Sequence, residues 1–462
     1  MSLPEPKGRQ REVVYLPEHG HTVVLGTAGS GKTTMAILRA QYLAALTSQK
    51  VLLVTFNRAL VTYLKALAAQ QQLSPLVTVE NYHWFARGYL GSRGLMKYND
   101  IADSDLRLQL IEQALNDLHS SLEGSRLQDM PAQFFVEESK WIAGSAIENS
   151  TDYIALRQGM KGVLWDESEC KMILAVYHYY LHLREKQGYR YDWDDLALAV
   201  EKAFAHDNTT RRYHHVVIDE GQDFTPAMLR SLVQAIPPDG SLTFFGDMAQ
   251  QIYGNRISWR TAGLQPPEVY EFRENYRNSS EIAALALAMT RTPAFRDVID
   301  LVMPNDVRAQ GLPPTLVHCR LLEQERKLIV DQARAAIQRK ESVAILVRKR
   351  EDEDYYSRQF RHSQRLHRDL QTWSAGKLSI GTYHAAKGLE FDVVLLPRCE
   401  AALLPDPERL QAFRYQDEAL AQEARLVYVA ITRARVRLIL TYTDTLTTLL
   451  PDDMTLYKVI SQ

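Results

Sequence analysis

Cysteine is scarce: Cys170, Cys319 and Cys399 are the only three in 462 residues, and they stand far apart. No Cys-x-x-Cys pair occurs, so neither a zinc ribbon nor a disulfide framework is supported. An excess of charge of one sign is also missing, since 54 basic side chains face 56 acidic ones for a net charge of −2. A basic coat over the whole surface is therefore excluded, and any nucleic acid must be held in a local groove. Uninterrupted apolar runs of membrane-spanning length are absent, and the stretch from Met1 to Gln10 holds no apolar signal region. The expectation is a cytoplasmic protein with no membrane partner. Internal repeats and low-complexity tracts are lacking as well.

What is present is the balance of a globular chain, 46% hydrophobic and 24% charged, over a length that calls for two or three domains. Val23-Val24-Leu25 runs into a glycine-rich turn, then a helix with Met35, Leu38, Tyr42 and Leu46 on one face. Val51-Leu52-Leu53-Val54 is the next buried strand, and this βαβ rhythm predicts a parallel sheet. From about 96 to 204 helical spacing takes over (Leu108, Ile111, Leu115, Leu118; Met172, Val176, Tyr179, Leu183), which predicts a helical insertion. Strands return at Val216–Ile218 and Leu242–Phe245. A second α/β set from about 273 onward carries Val343–Val347, Val393–Leu396 and Leu438–Leu440.

Gly26-Thr27-Ala28-Gly29-Ser30-Gly31-Lys32-Thr33 fits G-x-x-x-x-G-K-[ST], with a strand before it and a helix, entered through Thr34, after it. Backbone N–H groups of such a loop curl around phosphate, and the helix N-terminus adds a favourable partial charge. Lys32 is expected to pair with the β- and γ-phosphates of ATP, and the Thr33 hydroxyl to ligate Mg²⁺. Asp219-Glu220 follows the strand Val216–Ile218, at the end where parallel sheets place ligand chemistry. Asp219 is the expected metal partner, and Glu220 the group that orients or deprotonates the attacking water. An acidic pair there can also cap a helix; the phosphate loop upstream favours the catalytic reading.

Further motifs follow in order. They are Val54-Thr55-Phe56-Asn57-Arg58-Ala59, Asn81-Tyr82-His83-Trp84-Phe85, Ile218-Asp219-Glu220-Gly221-Gln222-Asp223 and the run Gly246–Tyr253. Asn275–Ser279, Thr382–Phe391 and Arg425–Ala434 complete the set. Over residues 10 to about 435 the chain resembles the superfamily 1A helicases of the UvrD, Rep and PcrA type. The resemblance implies an α/β fold of two RecA-like P-loop NTPase domains. Lobe 1A would be residues 1–95 and 205–272, helical subdomain 1B residues 96–204, and lobe 2A residues 273–462. It also implies roles: Gln10 reads the adenine edge, Tyr276 stacks on the base, Glu390 binds the ribose and Gln250 senses the γ-phosphate. Arg277 and Arg433 reach the γ-phosphate from the second lobe. Phosphoryl transfer needs charge neutralised as it shifts, so arginines on a second lobe make cleft closure depend on ATP.

A single-strand motor needs aromatic platforms and backbone donors without base-edge reading. By family position Phe56, His83 and His384 are the expected stacking residues, with Thr55 and Thr382 as phosphate donors and Asn57, Trp84 and Tyr253 as further contacts. Each of these aromatics can also serve in a core. In one departure, Asn255 stands where larger relatives carry an aromatic, leaving Trp259 as its possible substitute. In another, residues 348–377 are too few for the 2B domain that relatives insert there. They carry Arg348, Lys349, Arg350, Arg358, Arg361, Arg365 and Arg368, either a solvated basic helix or a nucleic-acid contact. His178 and His182 lack the Glu of H-E-x-x-H and a third ligand, so no zinc site is expected. Asp192, Asp194 and Asp195 read as a helix cap. The expected activity is ATP-dependent 3′→5′ translocation on single-stranded DNA, with a 3′-tailed duplex as helicase substrate. The alternative is a DNA- or nucleotide-sensing ATPase that regulates a partner nuclease, as in anti-phage systems such as Gabija.

Overall fold

The computed structural model describes residues 5–158, 165–247, 259–295, 306–309, 311–366, 370–374, 376–412 and 416–461. Strands β1 (Gly20–Gly26), β2 (Val51–Thr55) and β3 (Val77–Asn81) open the chain. The short β4 (Ile101–Ala102) and β5 (Tyr191–Asp192) pair with each other apart from them. With β6 (His215–Ile218), β7 (Ser241–Gly246) and β8 (Val269–Phe272), the first three form a six-stranded sheet of order β3-β2-β6-β7-β1-β8. Every pairing in it is parallel. β2, β6 and β7 are buried along their whole length, as a parallel sheet covered on both faces demands.

The helix Lys32–Thr47 does pack on this sheet, but not through the face that the large residues suggest. Its buried side is Met35, Ala36, Arg39, Ala40, Leu43 and Ala44, while Leu46 is exposed. Three alanines at four-residue spacing let the helix lie close to the strands, and their small size hid the stripe.

Helices Ser104–Asp117, Ala132–Ser145, Ser150–Gln158 and Glu167–Lys186 follow β4. They share a core of their own, with Ile111, Phe135, Ile142, Tyr153, Ile173 and Tyr180 at its centre. The last of them buries Cys170, Ile173, Leu174, Val176, Tyr177, Tyr180 and Leu183. Met172 and Tyr179 therefore lie at the edge of the stripe. At the root of this bundle Asp192 Oδ1 accepts from Asp194 N at 2.8 Å and Asp195 N at 3.1 Å, capping the turn into the next helix, and the same acids also hold two arginines. Arg107 is 2.9 Å from Asp192, and Arg184 is 3.1 Å from Asp192 and 2.6 Å from Asp195. Two buried guanidiniums are tolerated there because each is paired. Asp195 precedes the helix Leu196–Ala205 without a side-chain cap bond. His178 and His182 are exposed, and no group of three His, Cys, Asp or Glu fit to hold a metal occurs among the described residues.

The remaining strands begin with β9 (Glu274–Ser279), which pairs with β10 (Asp306–Ala309) in a two-stranded ribbon. A second sheet then takes β11 (Thr315–His318), β12 (Val343–Val347), β13 (Gln364–Arg365), β14 (Ser379–Thr382), β15 (Phe391–Leu396), β16 (Ala434–Tyr442) and β17 (Lys458–Ser461). Its order is β13-β14-β12-β15-β16-β11-β17, again all parallel. One apolar cluster runs from Val24 and Leu60 on the first sheet's side to Leu346 and Leu389 on the second's. Where the two meet, Gly388 has φ 77°, and a Cβ there would lie 2.4 Å from Leu60 Cδ2, so any other residue strains the backbone and forces Leu60 to shift.

Between β12 and β14 the described chain holds the helix Arg350–Gln359 and β13. Three of its basic residues are paired within the protein, while Arg350, Arg358 and Arg361 are exposed. Arg348 bonds Glu423 at 2.8 Å and Asp406 at 3.1 Å, Lys349 reaches Glu408 at 3.3 Å, and Arg365 binds Glu353 at 2.9 Å and Asp354 at 2.8 Å. The pairs assign a structural role to Arg348, Lys349 and Arg365, and the exposed Arg350, Arg358 and Arg361 match a solvated basic helix; Arg368 lies outside the described residues. No described helix is long and apolar enough to cross a membrane.

Candidate functional site

Every motif of the first sheet sits at the carboxyl end of its strand, along one edge. β1 leads into the phosphate loop, where Gly29 (φ 80°) and Gly31 (φ 83°) take left-handed backbone that other residues enter only at a cost. Gly26 is packed so closely that a Cβ would meet Ser30 Oγ at 2.5 Å. Lys32 is buried and donates to the carbonyls of Gly26 and Thr27, both at 2.8 Å, with Asp247 Oδ2 at 3.5 Å. The loop thus curls around its own ammonium group, in the place where phosphate oxygens would be received. Ala28 and Ser30 are buried within it, and the Thr27 and Ser30 hydroxyls have no hydrogen-bond partner. Thr34 lies in the first turn of the following helix. Gln10 donates from Nε2 to Ser30 O at 2.8 Å, which sets its amide against the loop.

Asp219 and Glu220 follow β6. Asp219 is 1% exposed, and neither carboxylate oxygen has a hydrogen-bond partner. Burial, then the neighbouring Glu220, pushes its pKa up to about 7, while Thr33 and Lys32 act in the opposite sense. A buried carboxylate with two unused oxygens beside a threonine hydroxyl suits a hard divalent cation, which prefers oxygen donors. Glu220 adopts φ 55°, a left-handed conformation uncommon outside glycine and often found at functional sites. Burial alone would raise its pKa, yet the charges of Lys387, Arg433 and Lys32 outweigh it and hold the group below the usual carboxylate range. It is therefore ionised, as a base must be. Gln222, which carried no role in the sequence reading, donates to Glu220 Oε2 at 2.5 Å and accepts from Asp247 N at 2.8 Å. It fastens the acidic pair to the end of β7.

From the second sheet, Arg433 reaches this place with 1% exposure. Its guanidinium donates to Val429 O at 2.9 Å, Leu389 O at 3.3 Å and Thr432 Oγ1 at 3.1 Å, so it is aimed by its surroundings. Asn278 donates to Thr432 O at 3.1 Å and to Ala434 O at 2.5 Å. The backbone of β9, which carries Tyr276 and Arg277, is thereby tied to the turn that carries Arg433. The side chains of Tyr276 and Arg277, and all of Gln250 and Tyr253, lie outside the described residues. Glu390 is exposed at the start of β15. Across the seam Lys387 pairs with Asp223, both buried. Asn57 donates to Ala385 O at 3.1 Å and Lys387 O at 2.9 Å while its Oδ1 caps the helix Arg58–Gln71. Asn57, expected at the nucleic acid, has its polar atoms engaged inside the protein.

Along the same edge lies a row of aromatic rings. Phe56 and His83 meet edge to face at 5.3 Å, and His83 meets Trp193 in the same way at 5.5 Å. Trp193 carries Arg58 over its ring at 5.6 Å, and it had no role in the sequence reading. Burial drives the pKa of His83 down to about 4 and that of His384 down to about 3, so both rings are neutral near pH 7. Neutral, half-buried rings can stack on bases. Trp84 is 53% exposed. Two expectations do not hold in this geometry. Thr55 is completely buried, its hydroxyl off the surface. Trp259 is half-buried and packs edge to face on Phe244 at 5.1 Å, in the core and not on the groove. Thr382 is half-buried and accepts from Ala385 N at 3.3 Å, shaping the turn that presents His384.

Comparison with known proteins bears on this arrangement. The family model of the UvrD/REP helicase N-terminal domain matches residues 7–268. That of the UvrD-like helicase C-terminal domain matches residues 362–445. A probable DNA helicase of Mycoplasma pneumoniae is 23% identical over 459 residues, covering 93% of this chain and 82% of its own. ATP-dependent DNA helicase UvrD2 of Mycobacterium bovis is 25% identical over 559 residues, covering 94% and 78%. The putative ATP-dependent DNA helicase YjcD of Bacillus subtilis is 25% identical over 344 residues, 69% of this chain but 42% of that protein, so the chain spans less than half of it.

Proposed function

The chain belongs to the UvrD/REP family of ATP-dependent DNA helicases, and on that premise we propose that it is an ATP-driven translocase that moves 3′→5′ on single-stranded DNA and unwinds 3′-tailed duplexes. In this reading residues 1–95 and 205–272 are the ATP-binding lobe 1A, 96–204 the helical subdomain 1B, and 273–462 the lobe 2A. The observation that carries it is the bonded seam beside Glu220, where groups of the second sheet's side, Lys387 and the buried Arg433, come against the acidic pair of the first. Lys387 pairs with Asp223 across the seam, and the charge of Lys387 first, then those of Arg433 and Lys32, keeps the Glu220 base ionised.

ATP entering the loop releases the Lys32 ammonium from the Gly26 and Thr27 carbonyls to the β- and γ-phosphates. Thr33 and Asp219 would hold Mg²⁺, whose charge, when bound, offsets that of the phosphate oxygens. Glu220 orients water against the γ-phosphorus and takes its proton. Arg433 neutralises the charge that develops on the transferring group. Once phosphate departs, the contact that held the lobes together is gone, and the seam relaxes. Asn57 and the pair Lys387–Asp223 link that seam to the strand end carrying Phe56. A change at the nucleotide thus reaches the aromatic row through bonded groups.

The test uses purified protein with single-stranded DNA, a 3′-tailed duplex and a 5′-tailed duplex. DNA-stimulated hydrolysis with unwinding of the 3′-tailed duplex alone is expected, and Glu220→Gln should abolish both. Unwinding of the 5′-tailed substrate instead would reverse the assigned polarity. Hydrolysis without unwinding, restored by a copurifying partner, would replace the helicase with a regulatory ATPase.

A further inference from the structure

Beyond the aromatic row, the first sheet's edge opens into a cleft of about 350 Å³ lined by Arg58, Lys65, Glu80, Trp84, Leu370 and Gln371. Its volume falls in the range of about 300–1,000 Å³ that holds small ligands. Two parts of the chain far apart in sequence build it. The helix Arg58–Gln71 and the start of the helix Tyr82–Ser92 form one wall. The other wall is Leu370 and Gln371, which lie between β13 and β14 in the chain. That wall is fastened in place, since Thr62 Oγ1 donates to Leu370 O at 2.9 Å and Tyr63 meets Trp373 edge to face at 5.2 Å.

The lining has the chemistry of a nucleotide. Trp84 is a large ring left 53% exposed, and Arg87 braces it with its guanidinium 5.3 Å from the ring centre. The same guanidinium lies 5.7 Å from the Trp193 ring, so this platform is continuous with Phe56 and His83. Arg58 and Lys65 bring two positive charges to the opening, against one negative charge from Glu80, which lies 3.0 Å from Lys65. That ion pair is exposed and hence weak. A phosphate arriving at Lys65 therefore displaces little.

We propose that this cleft is an outer station for one nucleotide of single-stranded DNA, with the base on Trp84 and its phosphate between Arg58 and Lys65. The station rests on the reading of Phe56 and His83 as the strand path and extends that path by one step. It uses Leu370 and Gln371 as a wall, so these two residues become part of the strand-binding surface. Glu80 weakens the grip on phosphate, which suits a site that must release its nucleotide at every step.

Oligo(dT) of increasing length, titrated at low salt and followed by fluorescence anisotropy, tests this. Trp84→Ala should raise Kd about 5- to 150-fold, the loss of one stacked base, and bring the plateau of affinity at a shorter length. Lys65→Ala should reduce the slope of log K against log salt by about 0.7, the value of one phosphate contact on a single strand, and Glu80→Gln should tighten binding. Phe56→Ala serves as the reference for the path. If Phe56→Ala weakens binding while Trp84→Ala matches the wild type at every length, the station is overturned and the path stands. If Trp84→Ala weakens binding while Phe56→Ala does not, the station stands and the path has been misplaced. If neither variant changes Kd, both fall.

Discussion

Asp219 sits in a buried position with both carboxylate oxygens unbonded, so a proton and a cation compete for it. Its pKa is raised to about 7, and the sign of the consequence follows. An acid whose folded pKa exceeds its unfolded value stabilises the fold while protonated, and that stability is lost as pH rises through the folded value. A bound divalent cation replaces the proton and removes the loss. Thermal unfolding with and without Mg²⁺ should therefore show a cation-dependent gain that grows from about pH 5.5 and levels off above about 7, since the unfolded carboxyl loses its proton near 4 and the folded one near 7. In Asp219→Asn that growth should vanish. A gain equally large at both ends of the range would show that Asp219 is not the cation's partner. The sequence made Lys32, Thr33, Asp219 and Glu220 legible because their spacing and the strands before them dictate their chemistry. It hid Gln222, Asn278 and Trp193, whose roles depend on which distant atoms they meet: Asp247 N, Thr432 O and His83.

At the scale of elements, the helix Arg58–Gln71 shows how a cap becomes a coupling device. Asn57 Oδ1 accepts from Ala59 N at 2.9 Å, and Nδ2 donates across the seam to Ala385 O and Lys387 O. The two functions separate by substitution. Asn57→Asp keeps the capping oxygen and loses the donor; Asn57→Ala loses both and should cost about 0.5–2 kcal/mol of stability for the cap. Unfolding midpoints should then fall for Asn57→Ala more than for Asn57→Asp, whereas DNA stimulation of ATP hydrolysis should drop in both. Full stimulation in a folded Asn57→Asp would sever the proposed link. Elements were legible from periodicity, but their phase was less so. The helix Lys32–Thr47 buries Ala36, Ala40 and Ala44 where Tyr42 and Leu46 had seemed the anchors, because alanines set the close approach without adding to an apolar stripe. The capping role of Asp192 was legible and is present, but only the fold brings Arg107 and Arg184 against residues 192–195.

For the whole molecule, chain order was the legible part. Alternating strands and helices called for parallel sheets, and two such sheets are present, with a helical bundle between β4 and β5. Their mutual placement was not legible, since no local pattern states that Gly388 touches Leu60 or that Lys387 pairs with Asp223. The engine depends on that placement, because Lys32 and Glu220 come from one sheet and Arg433 from the other. The most direct measurement is single-strand-stimulated ATP turnover by Arg433→Ala, taken together with its ATP affinity. With ATP still bound, the stimulated kcat should fall by about 10³–10⁵. A stimulated kcat close to the wild-type value would contradict the seam.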